Sequence, residues 1–363
     1  MKKIRLTSIC SPKQWRTIPT KDLLDEGYPV YGANGVIGYC KEYNHTSDTI
    51  IIGCRGSCGN VNIARGKSYI NGNAMCLDDL SSDVDILYLY YFLQNYDFRS
   101  VISGTTIPQV TKQGLEKIDV VVSSKENQRE IVRQLQLLDS IIEERHKELR
   151  YFDALIKSRF IEMFGNEIYP VTPLINLIKE GAGLSYGIVQ PGNDGTGDMG
   201  ILRPVDMVEG KISAASIKYI SRDIGDSFKK TELTGDELLI TVRGTTGITA
   251  LTDGRFVGMN VTRGIAVIRY DCRKINPIYL KTYLNTDKSQ RYIQEHTRGA
   301  TLQQINLSDL RIQEIPVPPM TRQEKMAAFV EQVDKSKFYI IQMQILLRLL
   351  IRAIQQKTTE VLL

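Results

Sequence analysis

Two short glycine-rich runs carry an arginine where a backbone turn would expose it. IIGCRGSCGNV contains Arg55 and Ser57, and LLITVRGTTGIT contains Arg243, Thr245 and Thr246. Glycine lets a backbone approach a ligand closely, hydroxyl and amide groups hydrogen-bond to phosphate, and arginine reaches a phosphate or the edge of guanine. Both runs therefore predict a contact with a polyanion. A tight hairpin turn is the alternative interpretation.

A second pair of segments is rich in threonine and glutamine. They read SGTTIPQV, which contains Gln109, and RGATLQQI, which contains Gln303 and Gln304. Glutamine amides suit the edge of adenine, so these segments are a second candidate for base contacts. The alternative is that their threonine and glutamine side chains cap turns before the next strand.

This second pair is one segment written twice. Its residues recur at a constant offset of 195, as Gly104 does at Gly299. The recurring residues are Gly104, Thr106, Gln109, Leu115, Val122 and Gln128, which match Gly299, Thr301, Gln304, Leu310, Val317 and Gln323. Solenoid repeats run to roughly 20–50 residues, so a repeat of this much longer period predicts two whole domains.

Each repeated segment leads into a long amphipathic helix. Apolar residues then follow steps of four and three, which is the spacing of a coiled-coil seam. The seams are Ile131, Leu135, Leu138, Ile142, Leu149, Phe152 and Ile156, and Met326, Val330, Val333, Ile340, Leu347, Ile351 and Ile354. Because the two seams share one frame, we expect the helices to pair with each other. If they run antiparallel, they set the separation of the two domains.

The composition is that of an ordinary globular protein. The 363 residues, 42% hydrophobic and 24% charged, suffice for two domains and do not indicate disorder. No apolar run follows the N-terminal lysines, and the C-terminal run IIQMQILLRLLIRAI is shorter than the ~20 residues that span a bilayer. We therefore expect a cytoplasmic protein without a membrane segment. The formal charge of +5 permits a polyanionic partner without requiring one.

Catalytic motifs are not found in the sequence. It has no P-loop, no G-x-G-x-x-G after a strand and no N-P-P-F/Y tetrad for amino methylation. Asp206, Glu209 and Lys211 imitate a metal-nuclease set only loosely, because the acid stands too close to the E-x-K pair. Cysteines without CxxC spacing and isolated histidines, His45 among them, predict free thiols and no metal site. A structural zinc cluster in the first module, where Cys54 and Cys58 form the one close pair in the sequence, is the alternative. We expect no catalytic centre in this chain.

The second long helix is apolar well beyond its seam. Ile345, Leu346, Leu349 and Leu350 add a second hydrophobic face near the C-terminus. A helix this apolar needs burial on more than one side. Docking of a partner subunit is the sharper interpretation, and self-association or internal packing is the alternative.

Several blocks together carry a resemblance to a known family. GYPVYGANGVIGYC (residues 27–40), the RGSCGNV loop, SGTTIPQV and the alternation of module with heptad helix resemble the specificity subunit of type I restriction-modification systems. The likeness covers essentially the whole chain. One departure is that the second copy lacks the YGANGVIGY block, and SYGIVQPGNDGTGDMG stands in its place.

The resemblance implies an α+β protein in which two similar α/β target recognition domains are separated by two long antiparallel helices that form a coiled coil. The first domain would be residues 1–122, the central spacer helix 123–166, the second domain 167–318 and the C-terminal spacer helix 319–363. The partners would be double-stranded DNA, two methyltransferase subunits and the restriction and translocation subunits. S-adenosylmethionine, ATP and Mg²⁺ would bind those partners, and no cofactor would bind this chain.

The resemblance implies the role of each domain, but the departure in the second copy prevents residue-by-residue transfer of contacts. The individual contacts are therefore our own hypothesis from residue type and position. Each domain would read one half of a bipartite, asymmetric DNA site without catalysing a reaction. Arg55 and Arg243 would hold each domain in a major groove, while Lys112 and Arg298 would contact phosphate. The candidate DNA contacts are Tyr31, Asn34, Arg55, Ser57, Thr105, Thr106, Gln109, Lys112, Arg243, Thr245, Thr246, Arg298, Thr301, Gln303 and Gln304. A scaffold that binds protein ligands, or an enzyme in its own right, are the alternatives.

Overall fold

The structure is a computed structural model that describes residues 2–104, 108–190, 192, 197–215, 217–300 and 302–360, with the backbone alone at 357–360. Its contacts divide the chain into two compact units. Unit 1 is Met1–Lys147 together with Ile340–Leu363, and unit 2 is Glu148–Tyr339. Each unit thus combines one module with parts of two long helices.

Unit 1 is built from short strands around helix α2. The strands are β1 Lys2–Arg5, β2 Ser11–Gln14, β3 Tyr28–Gly32, β4 Gly35–Cys40, β5 Thr49–Gly53, β6 Val61–Ala64, β7 Tyr69–Ile70, β8 Ala74–Asp78, β9 Ile102–Ser103, β10 Gln109–Val110 and β11 Asp119–Val122. The helices are α1 Leu6–Ile9, α2 Ile86–Gln94, α3 Lys112–Leu115 and the first part of α4 Lys125–Phe164. The larger sheets have the strand orders β2-β8-β5-β6 and β4-β3-β7.

Unit 2 repeats this plan with one insertion. Its strands are β12 Val171–Pro173, β13 Ser185–Tyr186, β14 Met199–Leu202, β15 Met207–Val208, β16 Lys211–Ile212, β17 Lys218–Ile220, β18 Leu238–Thr241, β19 Thr249–Leu251, β20 Asn260–Val261, β21 Ile265–Ile268, β22 Thr297–Arg298, β23 Gln304–Ile305 and β24 Glu314–Pro316. Its helices are α5 Arg222–Asp226, α6 Pro277–Leu284, α7 Asp287–Glu295, α8 Leu307–Ile312 and most of α9 Met320–Glu360.

The sheet orders show the duplication directly. The order β13-β21-β18-β19 matches β2-β8-β5-β6, and β17-β14-β20 matches β4-β3-β7. In both three-stranded sheets the central strand pairs in parallel with the short outer strand, as β3 does with β7 and β14 with β20. The prediction of two similar α+β domains is confirmed.

The matching sheets correct one alignment made from the sequence. GYPVYGANGVIGYC forms the antiparallel β3–β4 hairpin, and its counterpart in unit 2 is the β14–β17 pair, with β15 and β16 inserted between the two strands. The segment SYGIVQPGNDGTGDMG begins instead at β13, which pairs with β21 as β2 pairs with β8. The inserted strands hid this correspondence from the sequence. Part of that segment lies outside the described residues.

A tyrosine-rich helix lies in the core of each unit. The aromatic and leucine residues of ILYLYYFLQNY and IYLKTYLNT follow a helical spacing, which predicts these two helices, α2 and α6. Asp85 caps α2 by accepting from the backbone N–H groups of Leu87 and Tyr88, and Asn276 caps α6 in the same way. The Tyr88 hydroxyl donates to the Val121 carbonyl at 2.7 Å. In unit 2 the Tyr279 hydroxyl donates to the Pro316 carbonyl at 2.9 Å, and Pro316 lies 195 residues after Val121. These buried tyrosines serve the core, because their rings are covered and their hydroxyls are bonded.

Both long helices occur where the heptad pattern predicts them. In the first part of α4, Val132, Leu135, Leu138 and Ile142 are buried within unit 1. In unit 2 the contacts between the helices follow a fixed order: Arg322 donates to the Met163 carbonyl at 2.6 Å, Arg159 lies over the Phe329 ring at 5.7 Å, and Lys337 pairs with Asp153. Positions therefore fall along α4 as they rise along α9, so the two segments are antiparallel within unit 2.

A buried glutamine fixes the start of each long helix against its module. The Gln128 Oε1 accepts from the Asp85 backbone N–H at 2.8 Å, and its Nε2 donates to the carbonyls of Ser123 and Asp83. Gln323 accepts from the Asn276 N–H at 2.8 Å and donates to Pro318 at 2.8 Å. Each glutamine thus joins the helix start to the N-cap of the core helix.

Candidate nucleic-acid interface

In unit 1 the structure brings together the two segments that the sequence marked separately. The glycine-rich run forms the turn between β5 and β6, which is the hairpin interpretation. Arg55 in that turn pairs through its backbone with Gln109, and the Val110 N–H donates to the Cys54 carbonyl at 3.1 Å. A guanidinium and an amide suited to base edges therefore lie side by side on one surface.

Unit 2 contains the same arrangement. Arg243, in the turn between β18 and β19, pairs through its backbone with Gln304. The Ile305 N–H donates to the Val242 carbonyl at 3.0 Å, and the Gly244 N–H donates to the Gln303 carbonyl at 2.9 Å. In both units, therefore, the glycine-rich turn pairs through its backbone with the strand that contains the glutamine.

The first glycine of each turn leaves its backbone open to a ligand. Gly56 has a φ of 77° and Gly244 a φ of 82°, the left-handed region in which glycine is favoured. A Cβ built at either position would meet nothing within 4 Å. A phosphate or base edge can approach the chain here without displacing protein atoms.

Most candidate contacts in unit 1 lie at the surface near this turn. Arg55 and Lys112 are exposed, and Ser57 is half-buried. Asn34 is exposed and its Oδ1 accepts from Asn60 Nδ2 at 2.7 Å, which ties the β3–β4 turn to the arginine turn. Tyr31 is different: it is half-buried against the inner face of the sheet, and its hydroxyl accepts from the Arg65 N–H at 3.4 Å. Thr105 and Thr106 lie outside the described residues.

In unit 2 one candidate residue is wrong. Thr245 and Gln303 are exposed and Arg243 is half-buried, but Thr246 is only 5% exposed and its hydroxyl lies 3.1 Å from that of Thr297. Thr246 therefore holds the turn to β22 and does not present its hydroxyl outward. Arg298 remains exposed although Asp309 lies 3.7 Å from it. Thr301 is outside the described residues.

Two further basic residues accompany the site in unit 1. Arg348 and Arg352 of α9 line a cavity of about 610 Å³ together with Asn34 and Asn60. In the sequence, both arginines interrupt the apolar run IIQMQILLRLLIRAI and carry no other motif. Their i, i+4 spacing, which places both on one helix face, was the available signal.

The second apolar face of α9 is uncovered. Ile345, Leu346, Leu349 and Leu350 are 47%, 65%, 53% and 49% exposed. The sequence predicted that the C-terminal apolar run is too short to cross a membrane. By length and composition this is wrong, because the helix segment Met320–Gln356 is long and apolar enough. A single such helix is weak evidence for a membrane, and an exposed apolar face on a folded unit equally marks a protein interface.

The loosely nuclease-like residues do not form a site. Asp206 is fully buried, accepts from the Arg203 backbone N–H at 2.8 Å and pairs with the Arg203 guanidinium at 3.0 Å. It therefore fixes a local turn in unit 2.

The prediction that His45 is isolated is wrong. Its ring lies beside Cys76 and Asp78, residues remote in sequence. Burial, with the nearby Asp78 charge, raises the pKa of the Cys76 thiol to about 12.

Comparison with known proteins accounts for the duplicated plan. Residues 1–150 and 194–350 match the type I restriction modification DNA specificity domain. The chain is 26% identical over 167 residues to the type I restriction enzyme EcoBI specificity subunit of Escherichia coli, a match over 46% of this chain and 35% of that protein. It is 21% identical over 320 residues to a putative type I specificity subunit of Haemophilus influenzae, covering 84% of this chain and 80% of that protein.

Solved structures share the fold. A type I restriction-modification S subunit from M. genitalium aligns over 98% of this chain and 95% of its own, with a TM-score of 0.51 and 16% identity. A chain from a study of complex assembly and conformational transition of the type I system aligns over 98% and 97%, with a TM-score of 0.58 and 16% identity. With both modules matched by the domain, this chain belongs to the type I restriction-modification specificity family.

Proposed function

We propose that this chain is the non-catalytic DNA-reading subunit of a type I restriction-modification complex and that each unit reads one half of a bipartite site. The observation that carries the proposal is the doubled contact between an arginine turn and a glutamine strand, Arg55 with Gln109 and Arg243 with Gln304. Folding alone does not require an arginine beside a glutamine at the same place in both units. Guanine and adenine edges are the ligands that such a pair suits.

The long helices have a separate role in this proposal. They pair as a coiled coil, set the distance between the half-sites and dock two methyltransferase subunits on the exposed apolar face of α9. Restriction and translocation subunits join the same cytoplasmic assembly. S-adenosylmethionine, ATP and Mg²⁺ bind those partners, and none of these three binds this chain.

The test is binding of the assembled methyltransferase complex to its methylated motif, which sequencing of the host methylome supplies. Arg55→Ala and Arg243→Ala should each weaken binding. An arginine on a base edge costs ~1–3 kcal/mol at one position of one half-site, whereas an arginine on phosphate weakens all sequences alike and lowers the salt slope by about 1.

Matched controls lie in the same units. Arg99 and Arg255 are exposed, and each is paired with an aspartate two residues before it. Arg99→Ala and Arg255→Ala should leave binding unchanged. Unchanged binding in both Arg55→Ala and Arg243→Ala would refute the assignment of these turns to DNA.

A scaffold without DNA contact is the second candidate, and the exposed apolar face of α9 fits it equally well. Nuclease protection of two short sequences separated by an unprotected gap separates the two functions, because a scaffold protects neither. Exchanging residues 167–318 for the same module of another family member should change one half of the protected sequence. A protected site that stays the same after the exchange would contradict the assignment of one module to one half-site.

A further inference from the structure

A histidine, a cysteine and an aspartate converge in unit 1 outside the candidate DNA surface. One ligand atom from each of His45, Cys76 and Asp78 lies within 4.8 Å of the other two. Cys76 and Asp78 are two residues apart on β8, so both side chains point to the same face of the sheet. His45 comes from the segment before β5, and its side chain is only 8% exposed.

The histidine is held with one ring nitrogen toward the cluster. Its backbone pairs with Ser68 in both directions, at 3.0 and 3.1 Å. Nδ1 lies 2.7 Å from Asn44 Oδ1. That oxygen also accepts from the Ile70 N–H, while Asn44 Nδ2 donates to the Ile70 carbonyl, so the amide cannot be reversed.

This orientation sets the chemistry of the ring. Nδ1 has only an acceptor oxygen opposite it, so it carries a proton and donates. Nε2 faces Asp78 Oδ1 at 3.0 Å and is the atom left to hold a proton or a metal. A ligating histidine usually donates its other N–H to such an outer acceptor, which fixes the ring orientation.

The cluster is reachable and its charges balance. His45 and Asp78 line a cavity of about 560 Å³, which supplies an entry path and space for a water ligand. The three ligands, a neutral imidazole, a thiolate and a carboxylate, carry two negative charges, which one divalent cation neutralises. Lys13 Nζ lies 3.6 Å from Asp78 Oδ2, and the Lys13 carbonyl accepts from the Cys76 thiol at 3.2 Å, so metal binding replaces that thiol hydrogen bond. The nitrogen, sulfur and oxygen set suits zinc, which takes three protein ligands plus water in open sites.

The fold itself does not require these residues. In unit 1 Ile51 pairs with Cys76 across the sheet, and in unit 2 the matching pair is Leu239 with Val267. Valine therefore stands where Cys76 would be, and the residue two further on is Arg269 in place of an aspartate. Unit 2 builds the same sheet with an apolar residue at the cysteine position.

We propose that unit 1 binds one zinc-class divalent cation through His45 Nε2, Cys76 Sγ and an Asp78 carboxylate oxygen, with water as the fourth ligand. Binding releases the thiol proton to solvent, and the metal replaces the direct contact between His45 and Asp78. The ion then ties the segment before β5 to β8. This inference needs neither DNA nor a partner subunit, so it stands or falls separately from the proposed function.

Cobalt(II) titration of the full chain after chelator treatment tests the site. We expect one Co²⁺ per chain, a thiolate-to-cobalt charge-transfer band in the near ultraviolet and displacement by Zn²⁺. Trp15 is the single tryptophan, and its ring lies 5.5 Å from that of His45. Its fluorescence should therefore be quenched along the same titration curve.

Two variants and one control complete the experiment. Cys76→Val, which introduces the residue found in unit 2, should abolish the band. Asp78→Asn should weaken Co²⁺ binding by more than about tenfold, the loss that even an outer-shell partner causes. Cys58→Ser should bind as the unaltered chain does, because Cys58 donates to Pro108 away from the cluster.

The unaltered chain decides the question even if a variant fails to fold. A folded, chelator-treated chain that develops no charge-transfer band on addition of Co²⁺ would show that His45 and Asp78 form only a hydrogen-bonded pair. A band that survives Cys76→Val and disappears in Cys58→Ser would place the metal elsewhere. Either result overturns the proposal.

Discussion

Replacing Gln128 by methionine should loosen the join between α4 and its module. The side chain is fully buried and makes three hydrogen bonds, at 2.8, 2.9 and 2.8 Å. Methionine keeps the length and apolar stem but bonds none of these groups. At roughly 0.5–1.5 kcal/mol for each bond, the local loss is about 2–4 kcal/mol. Gln323 makes two such bonds, so Gln323→Met should lose about 1–3 kcal/mol.

Amide hydrogen exchange measures this loss where it occurs. A chain of two compact units need not unfold in one step, so a single melting curve would blur the effect. Peptides over residues 83–88 should lose protection in Gln128→Met, and peptides over 276–279 in Gln323→Met. Gln136 and Gln332 are exposed on the same helices, and their methionine variants should stay within about 0.5 kcal/mol. Equal exchange in Gln128→Met and Gln136→Met would refute the reasoning.

Three further outcomes follow from single contacts. Thr246→Val should cost about 1 kcal/mol by calorimetry through loss of the bond to Thr297, without changing DNA affinity of the complex. Leu346→Glu should weaken methyltransferase-subunit binding at least about tenfold in pull-down titrations, because the interface would bury an unpaired charge. The Arg273 guanidinium lowers the pKa of Asp271 from 3.8 to about 2. The ionised carboxylate therefore stabilises the folded state fully at pH values above 3.8. The stability difference between the unaltered chain and Asp271→Asn should shrink as pH falls from 3.8 toward 2, and a constant difference would contradict it.

The sequence predicted the duplication and the elements because those signals are local. A constant offset of 195 is read directly, and heptad and helical spacings report one face of one helix. The helix over Lys125–Phe164 and the core helices in both modules follow from such patterns. The sequence predicts Thr246 as an outward contact together with Arg243 and Thr245, and this is wrong because a pattern of residue types does not show which way each side chain points.

The sequence could not show which of its distant residues lie next to each other in the fold. Arg55 and Gln109 were both singled out, but only the β5–β6 turn packed on β10 places them together. The sequence does not show His45, Cys76 and Asp78 as one set, because a metal motif is recognised by short spacings, whereas a sheet brings distant residues to one face. Gln128 and Gln323 were seen as repeats without a role. Their role depends on the N-cap of a helix far away in the sequence.

The glycine-rich turns show how one loop can serve both fold and recognition. The last glycine of each turn is Gly59 in unit 1 and Gly247 in unit 2. A Cβ built at Gly59 would lie 2.8 Å from Phe98 Cβ, and one built at Gly247 would lie 2.8 Å from the Gln290 amide oxygen, so packing holds that end of each turn. The first glycine, Gly56 or Gly244, faces open space. The arginine before it is the same in both units, whereas the residue after it is Ser57 in unit 1 and Thr245 in unit 2. Packing therefore fixes the backbone at the last glycine of each turn, while the exposed side chains beside the first glycine lie outside the core. Under the proposed function, the arginine and glutamine that both modules share would make a common contact, and the exposed residues that differ between the modules would distinguish the two half-sites.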